Sequence, residues 1–203
     1  CLIVSVATPA GQPVTRMRRV PLHGTDIELL ERCNGLCRRL CAEVPPLDEA
    51  QALINALPDA IPRYSPRMML LGYGTAPAFF APLFGGGLGD LACAFLCGLA
   101  VGLCLLYGGK FIGANSFFRT AVCSALAAFL SLALVEAGLG ESVDVVTIST
   151  LMVLVPGVAL TNAMREIMAG DTFSGLSRTA DAILTASAIA LGAAAGQALG
   201  GML

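Results

Sequence analysis

Five long apolar runs fill the chain after residue 67, at 68–84, 87–107, 114–136, 144–165 and 177–200, while the stretch ahead of them is patterned quite differently. Residues 2–6 and 14–20 are rich in β-branched side chains, and Thr8-Pro9-Ala10-Gly11-Gln12-Pro13 lies between them. That arrangement predicts a β-hairpin or two short edge strands. Thr25 or Asp26 caps a predicted helix running to about residue 41, and Leu47-Asp48-Glu49 opens a second one to about residue 57. Pro58, Pro62 and Pro66 follow as a linker. The expected architecture is a small α+β domain over 1–67 and, over 68–203, an all-α polytopic membrane domain of five transmembrane helices. A hydrocarbon core of roughly 30 Å takes about 20 helical residues to cross. The first run is the shortest and holds Pro77 and Pro82, so it is expected to kink or tilt.

Composition supports lipid as the solvent: 56% of the 203 residues are hydrophobic and 13% charged, with a mean hydropathy of +0.79. A net charge of -2 leaves no basic face to neutralise phosphates, which excludes nucleic acid as a partner class. Eight of the twelve basic residues lie in 1–67. Beyond it, connections carrying Lys110 and Arg119, or Arg165 and Arg178, alternate with those carrying Asp90, or Glu136, Glu141 and Asp144. Placing the basic side inward predicts a cytoplasmic N-terminus and an extracytoplasmic C-terminus. An odd number of spans suggests a missing complement, either a second half or a separate subunit. The first residue is Cys1 and not Met, so a fragment, a processed product or a lipid-modified cysteine is to be weighed. Lipidation would put Cys1 outside, against the charge bias. Residues 2–7 are too short an apolar core for a signal peptide. The 1–67 core is small and is expected to lean on the membrane region or on a partner.

The fourth run carries the most chemistry. Pro156-Gly157 sits inside it, and a proline there removes a backbone donor and frees carbonyls near Met152 and Val153. Interrupted helices of this kind place bare peptide groups where transporters bind polar solutes, although a simple kink filled by neighbouring helices explains the dipeptide alone. Thr161, Asn162, Arg165 and Glu166 follow, and three- and four-residue spacing puts Asn162, Arg165 and Glu166 near one face. Such groups at membrane depth mark a pathway, unless Arg165 and Glu166 snorkel to the interface. Asn115 and Arg119 open the third run, and Asp181 lies inside the fifth, where Arg178 is expected to pair with it. Glu166, Asp181 or Asp90 could carry a coupled proton if buried.

Gly98 and Gly102, then Gly192, Gly196 and Gly200, recur every four residues and suit ordinary bundle packing more than a homodimer seam, with a homo-oligomer left open. Cys33, Cys37 and Cys41 share a helical face but match no zinc spacing, and no metal or other cofactor is expected. One histidine, His23, and no Gly-Lys-Ser/Thr phosphate loop argue against a catalytic site or an ATP motor.

Val14-Thr15-Arg16, Arg19-Val20-Pro21, Gly24-Thr25-Asp26, Phe84-Gly85-Gly86 with Asp90, and Pro156-Gly157 with Thr161-Asn162-Ala163, Arg165, Gly170-Asp171, Ser174-Gly175-Leu176 and Arg178 together resemble the threonine/serine exporter family over nearly the whole chain. The resemblance implies a bacterial inner-membrane module with a cytosolic domain and five spans, working with a second-half exporter subunit or domain. It further implies proton-motive-force-driven export of threonine and serine or, in a two-subunit form, of small dicarboxylates such as succinate. Glu166 stands where the family often has Asp. The resemblance assigns no role to individual residues; the mechanism expected from the interrupted fourth run is alternating access around it, with Thr161, Asn162 and the carbonyls near Pro156 meeting the cargo's polar head and Arg165 or Arg119 attracting its carboxylate. A passive small-solute channel and a non-transporting scaffold subunit are the competing classes.

Overall fold

The computed structural model describes residues 2–7, 13–18, 26–57, 64–108 and 115–202. The chain divides into two compact units, Cys1–Arg63 and Tyr64–Leu203. The expected linker prolines Pro58 and Pro62, the turn at 8–12, and His23, Thr25 and Lys110 lie outside the described residues.

In the first unit β1 (Leu2–Ala7) pairs antiparallel with β2 (Pro13–Arg18), with Ser5 opposite Thr15 and their hydroxyls 2.9 Å apart. The hairpin alternative therefore holds. Helix α1 (Ile27–Glu43) starts where Asp26 accepts the Leu29 amide at 3.0 Å, an N-cap that satisfies one of the free first-turn donors. Glu28–Arg32 and Arg39–Glu43 are four-residue ion pairs along it, at 2.7 and 3.0 Å. Helix α2 (Leu47–Ala56) follows Pro46. Cys33 is half-buried and Cys37 and Cys41 are exposed on α1.

The second unit is all helical. Its helices are α3 (Pro66–Leu83), α4 (Leu88–Tyr107), α5 (Ser116–Glu136), α6 (Val143–Leu151), α7 (Gly157–Met168) and α8 (Thr172–Gly200). Three of the described helices are long and apolar enough to cross a membrane: α4, α5 and α8. That departs from the expected five. The fourth run is two helices of 9 and 12 residues, neither able to span alone, and α3 is diluted by its prolines and small residues. Pro66 is also not linker. It occupies the first helical turn of α3 behind a Ser65 cap, where its missing amide costs nothing.

Small residues set the close contacts. Pro77 deprives the Tyr73 carbonyl of its helical donor. Gly98 of α4 approaches that carbonyl so closely that a Cβ there would overlap it, and a Cβ on Gly102 would lie 2.6 Å from Tyr73 Cβ. Gly192 meets the Ala121 carbonyl, Gly196 the Ala125 carbonyl and Gly200 the Leu132 side chain, so α5 and α8 run parallel in close contact. All five glycines of the sequence pattern are thus spent on packing within the chain. Cys93, Cys97 and Cys123 are buried in two apolar clusters, one with Ala81, Ala94 and Val146, the other with Val101 and Ala127. They act as small apolar side chains there.

Candidate functional site

Helix α6 stops at Leu151 and α7 starts at Gly157. Between them the Leu154 amide reaches back to the Leu151 carbonyl (2.8 Å), and the Gly157 amide closes a tight turn on the Val155 carbonyl (2.9 Å). Among the described residues no amide donates to the carbonyls of Met152, Val153 and Leu154, and the amides of Val158 and Ala159 have no acceptor. Pro156 is the cause, since it has no amide for the Met152 carbonyl and bars the preceding residue from helical geometry. The interruption expected from Pro156-Gly157 is therefore real, and it leaves a half-helix C-terminus facing a half-helix N-terminus.

The two halves have different surroundings. Helix α6 packs against α3, α4 and α5, whereas α7 packs on α8. Ala163 is fully buried at that contact, with Gly175 so near that a Cβ would stand 2.8 Å from the Ala163 carbonyl. Asn162 and Glu166 are half-buried beside it, and Thr161 and Arg165 are exposed. Thr161 returns its hydroxyl proton to the Gly157 carbonyl at 3.0 Å. Arg178 Nε lies 3.0 Å from Glu166 Oε2, a buried oxygen. The N–H is not aligned for a hydrogen bond, so the contact is an ion pair only. Arg178 thus pairs across the α7–α8 hairpin with Glu166 and not with Asp181, because the turn at Gly170 (φ +93) folds α7 onto the first turns of α8. Asp181 is exposed.

Asn115 caps α5 by accepting the Phe117 amide (3.0 Å), and Arg119 is half-buried one turn later. Among the described residues no hydrogen bond or ion pair joins Asn115, Arg119 or Asp181 to the break. Asp90 sits at the far end of the bundle, 1% exposed. Its carboxylate accepts the amides of Glu141 (2.7 Å), Ser142 (3.0 Å) and Gly87 (3.2 Å), tying the α3–α4 turn to the α5–α6 turn.

Two polar features lie outside the residues singled out from sequence. Ser131 of α5 lies 3.8 Å from Cys97 Sγ, and on α6 the hydroxyls of Thr147 and Ser149, 4% and 0% exposed, have no hydrogen-bond partner. A groove of about 280 Å³ runs between α3 and the break, lined by Met69, Gly72, Tyr73 and Val153.

The family comparison decides what kind of protein carries this break: the threonine/serine exporter family model matches residues 1–200. The chain belongs to that family. It is also similar to pheromone-regulated membrane protein 10 of the yeast Debaryomyces hansenii, 26% identical over 212 residues that cover 99% of this chain. The chain spans 20% of that protein's length. No solved structure matches. Threonine/serine exporters are membrane transporters, and the apolar helices α4, α5 and α8 place this member in a membrane. The motifs of the family resemblance fall on the α3–α4 turn (Phe84-Gly85-Gly86 with Asp90), the break (Pro156-Gly157) and the α7–α8 hairpin (Gly170-Asp171).

Proposed function

We propose that the chain is the first-half module of a secondary exporter for threonine, serine and similar small hydrophilic amino acids, with small dicarboxylates such as succinate as the alternative cargo of a two-subunit form. The interruption at Pro156-Gly157, with its unpaired carbonyls, is the observation that carries this reading. Nine residues of α6 rise about 13 Å, close to half of a hydrocarbon core, so the break falls near mid-membrane. Counting α3 and the broken α6–α7 as spans restores five crossings. The basic connections then lie in the cytoplasm of a bacterial cell and the C-terminus outside. A second-half subunit or domain completes the pathway, and the proton gradient drives it.

In this mechanism Thr161, Asn162 and the free carbonyls hold the polar head of the cargo, and Arg165 with Arg119 draws its carboxylate from the cytoplasm. Asp181, exposed at membrane depth, and Glu166, ion-paired to Arg178, are the carboxylates offered for proton coupling. Asp90 is a brace, since its oxygens are already taken by three amides.

The test is efflux of labelled threonine, serine and succinate from cells carrying the chain with and without a second-half partner, before and after an uncoupler. Uphill efflux that needs the partner and collapses with the gradient supports the proposal. Flux indifferent to the uncoupler would make it a channel, and no flux in any arm a scaffold. Normal export by Asn162→Ala and Arg165→Ala at wild-type abundance would sink the residue assignment.

A further inference from the structure

We infer that the groove between α3 and the break, bordered by Met69, Gly72, Tyr73 and Val153, is the seat of the cargo's ammonium group. The inference rests on the exporter reading and adds to it a wall, α3, none of whose residues the sequence assigns to the cargo path.

Three observations converge. Val153 lines the groove, and its carbonyl is one of three consecutive ones, Met152 to Leu154, that no amide of the described residues satisfies. These carbonyls follow directly on the end of α6, and the C-terminal end of a helix carries partial negative charge. A group with several N–H donors and a positive charge fits them, whereas a carboxylate is repelled. The second observation is the wall itself. Met69, Gly72 and Tyr73 are spaced three and four apart, on one face of α3. Tyr73 is held from behind by Gly98 and Gly102 of α4, and among the described residues its hydroxyl has no partner. The third is Gly72. A Cβ there would meet nothing within 4 Å, so the residue is not glycine for the sake of helix packing, and its missing side chain keeps the groove open.

The other side of the break completes the match. The free amides of Val158 and Ala159 open α7, and the N-terminal end of a helix attracts anions. A zwitterion laid across the interruption would put its ammonium at the carbonyls and its carboxylate toward α7 and Arg165. A dicarboxylate would satisfy one end and oppose the other.

The test is serine counterflow in proteoliposomes holding the full chain and its second half. Ethanolamine, 3-hydroxypropionate and succinate serve as competitors, since they keep only the ammonium end, only the carboxylate end, or two carboxylates. Ethanolamine should compete at least about tenfold better than succinate, whose second carboxylate is opposed by the carbonyls; that is the factor that a charge-assisted hydrogen bond carries. 3-Hydroxypropionate should compete through the α7 end alone. Gly72→Leu should fill the groove and abolish counterflow with abundance and melting temperature unchanged. Equal competition by succinate, or full activity of Gly72→Leu, would overturn the inference. If the wild-type protein shows no counterflow at all, the exporter reading fails, and a second measurement still decides the groove. Serine and ethanolamine, but not 3-hydroxypropionate, should slow maleimide labelling of Gly72→Cys, followed by mass spectrometry of that peptide. Labelling indifferent to all three would refute the ammonium seat independently of transport.

Discussion

The two halves of the interrupted segment are built for opposite purposes. Helix α6 is enclosed by α3, α4 and α5 and buries Val146, Thr147, Ser149 and Thr150, whereas α7 rests on α8 and leaves Val158, Leu160, Met164 and Met168 exposed. The polar groups divide the same way. Past the exposed Asp144 of its first turn, the polar groups of α6 are neutral hydroxyls buried in the bundle, whereas those of α7, Thr161, Asn162, Arg165 and Glu166, are exposed or half-buried and include two charges. One half of the segment is a fixed post and the other half of a hairpin with few ties, and the unpaired peptide groups sit at the joint between them. Local opening is drawn from the least buried parts of a fold, so of the two halves α7 is the one expected to open first.

The contrast can be broken by experiment, beginning where the effect is largest. Gly98→Val drives a branched side chain into the Tyr73 carbonyl and should cost about 3 kcal/mol, because a backbone wall cannot yield as a side chain can. Its melting temperature in detergent should collapse, and an unchanged value would show that the α3–α4 contact against which α6 packs is not rigid. Asp90→Ala leaves three amides without their acceptor and should lower stability by about 2 kcal/mol in the same assay. Glu166→Gln should cost less than about 1 kcal/mol, since Arg178 is 56% exposed and solvent screens the pair. Hydrogen exchange sharpens that case: amides of α7 should exchange faster in the variant while those of α6 stay as they were. Ser149→Ala removes a buried hydroxyl that has no partner and should raise stability by about 0.5 kcal/mol. A loss there would reveal a ligand or water on that hydroxyl.

What could be read from sequence follows the range of the forces involved. Pro156-Gly157 announced the break because proline acts on its own turn, and Asp26 and Asn115 mark helix starts for the same local reason. Three-residue spacing points Arg178 to Asp181, while the hairpin turn at Gly170 brings up Glu166 from another helix. The role of Asp90 was hidden for a similar reason. Two of its donors come from residues 51 and 52 positions away, and only the glycine-rich turns around it gave a hint. Prolines in series suggest a linker through Pro66, yet a first-turn proline is favourable in a helix. The α3 groove has no sequence signal beyond one glycine, because an open space is defined by what two distant segments fail to fill.

The carboxylate of Asp90 acts as a keystone for the rim of the bundle. Two turns that are strangers in the chain hang on one side chain, so they must shift together or strand a charge away from water. A spacer inserted into either turn should therefore disturb both.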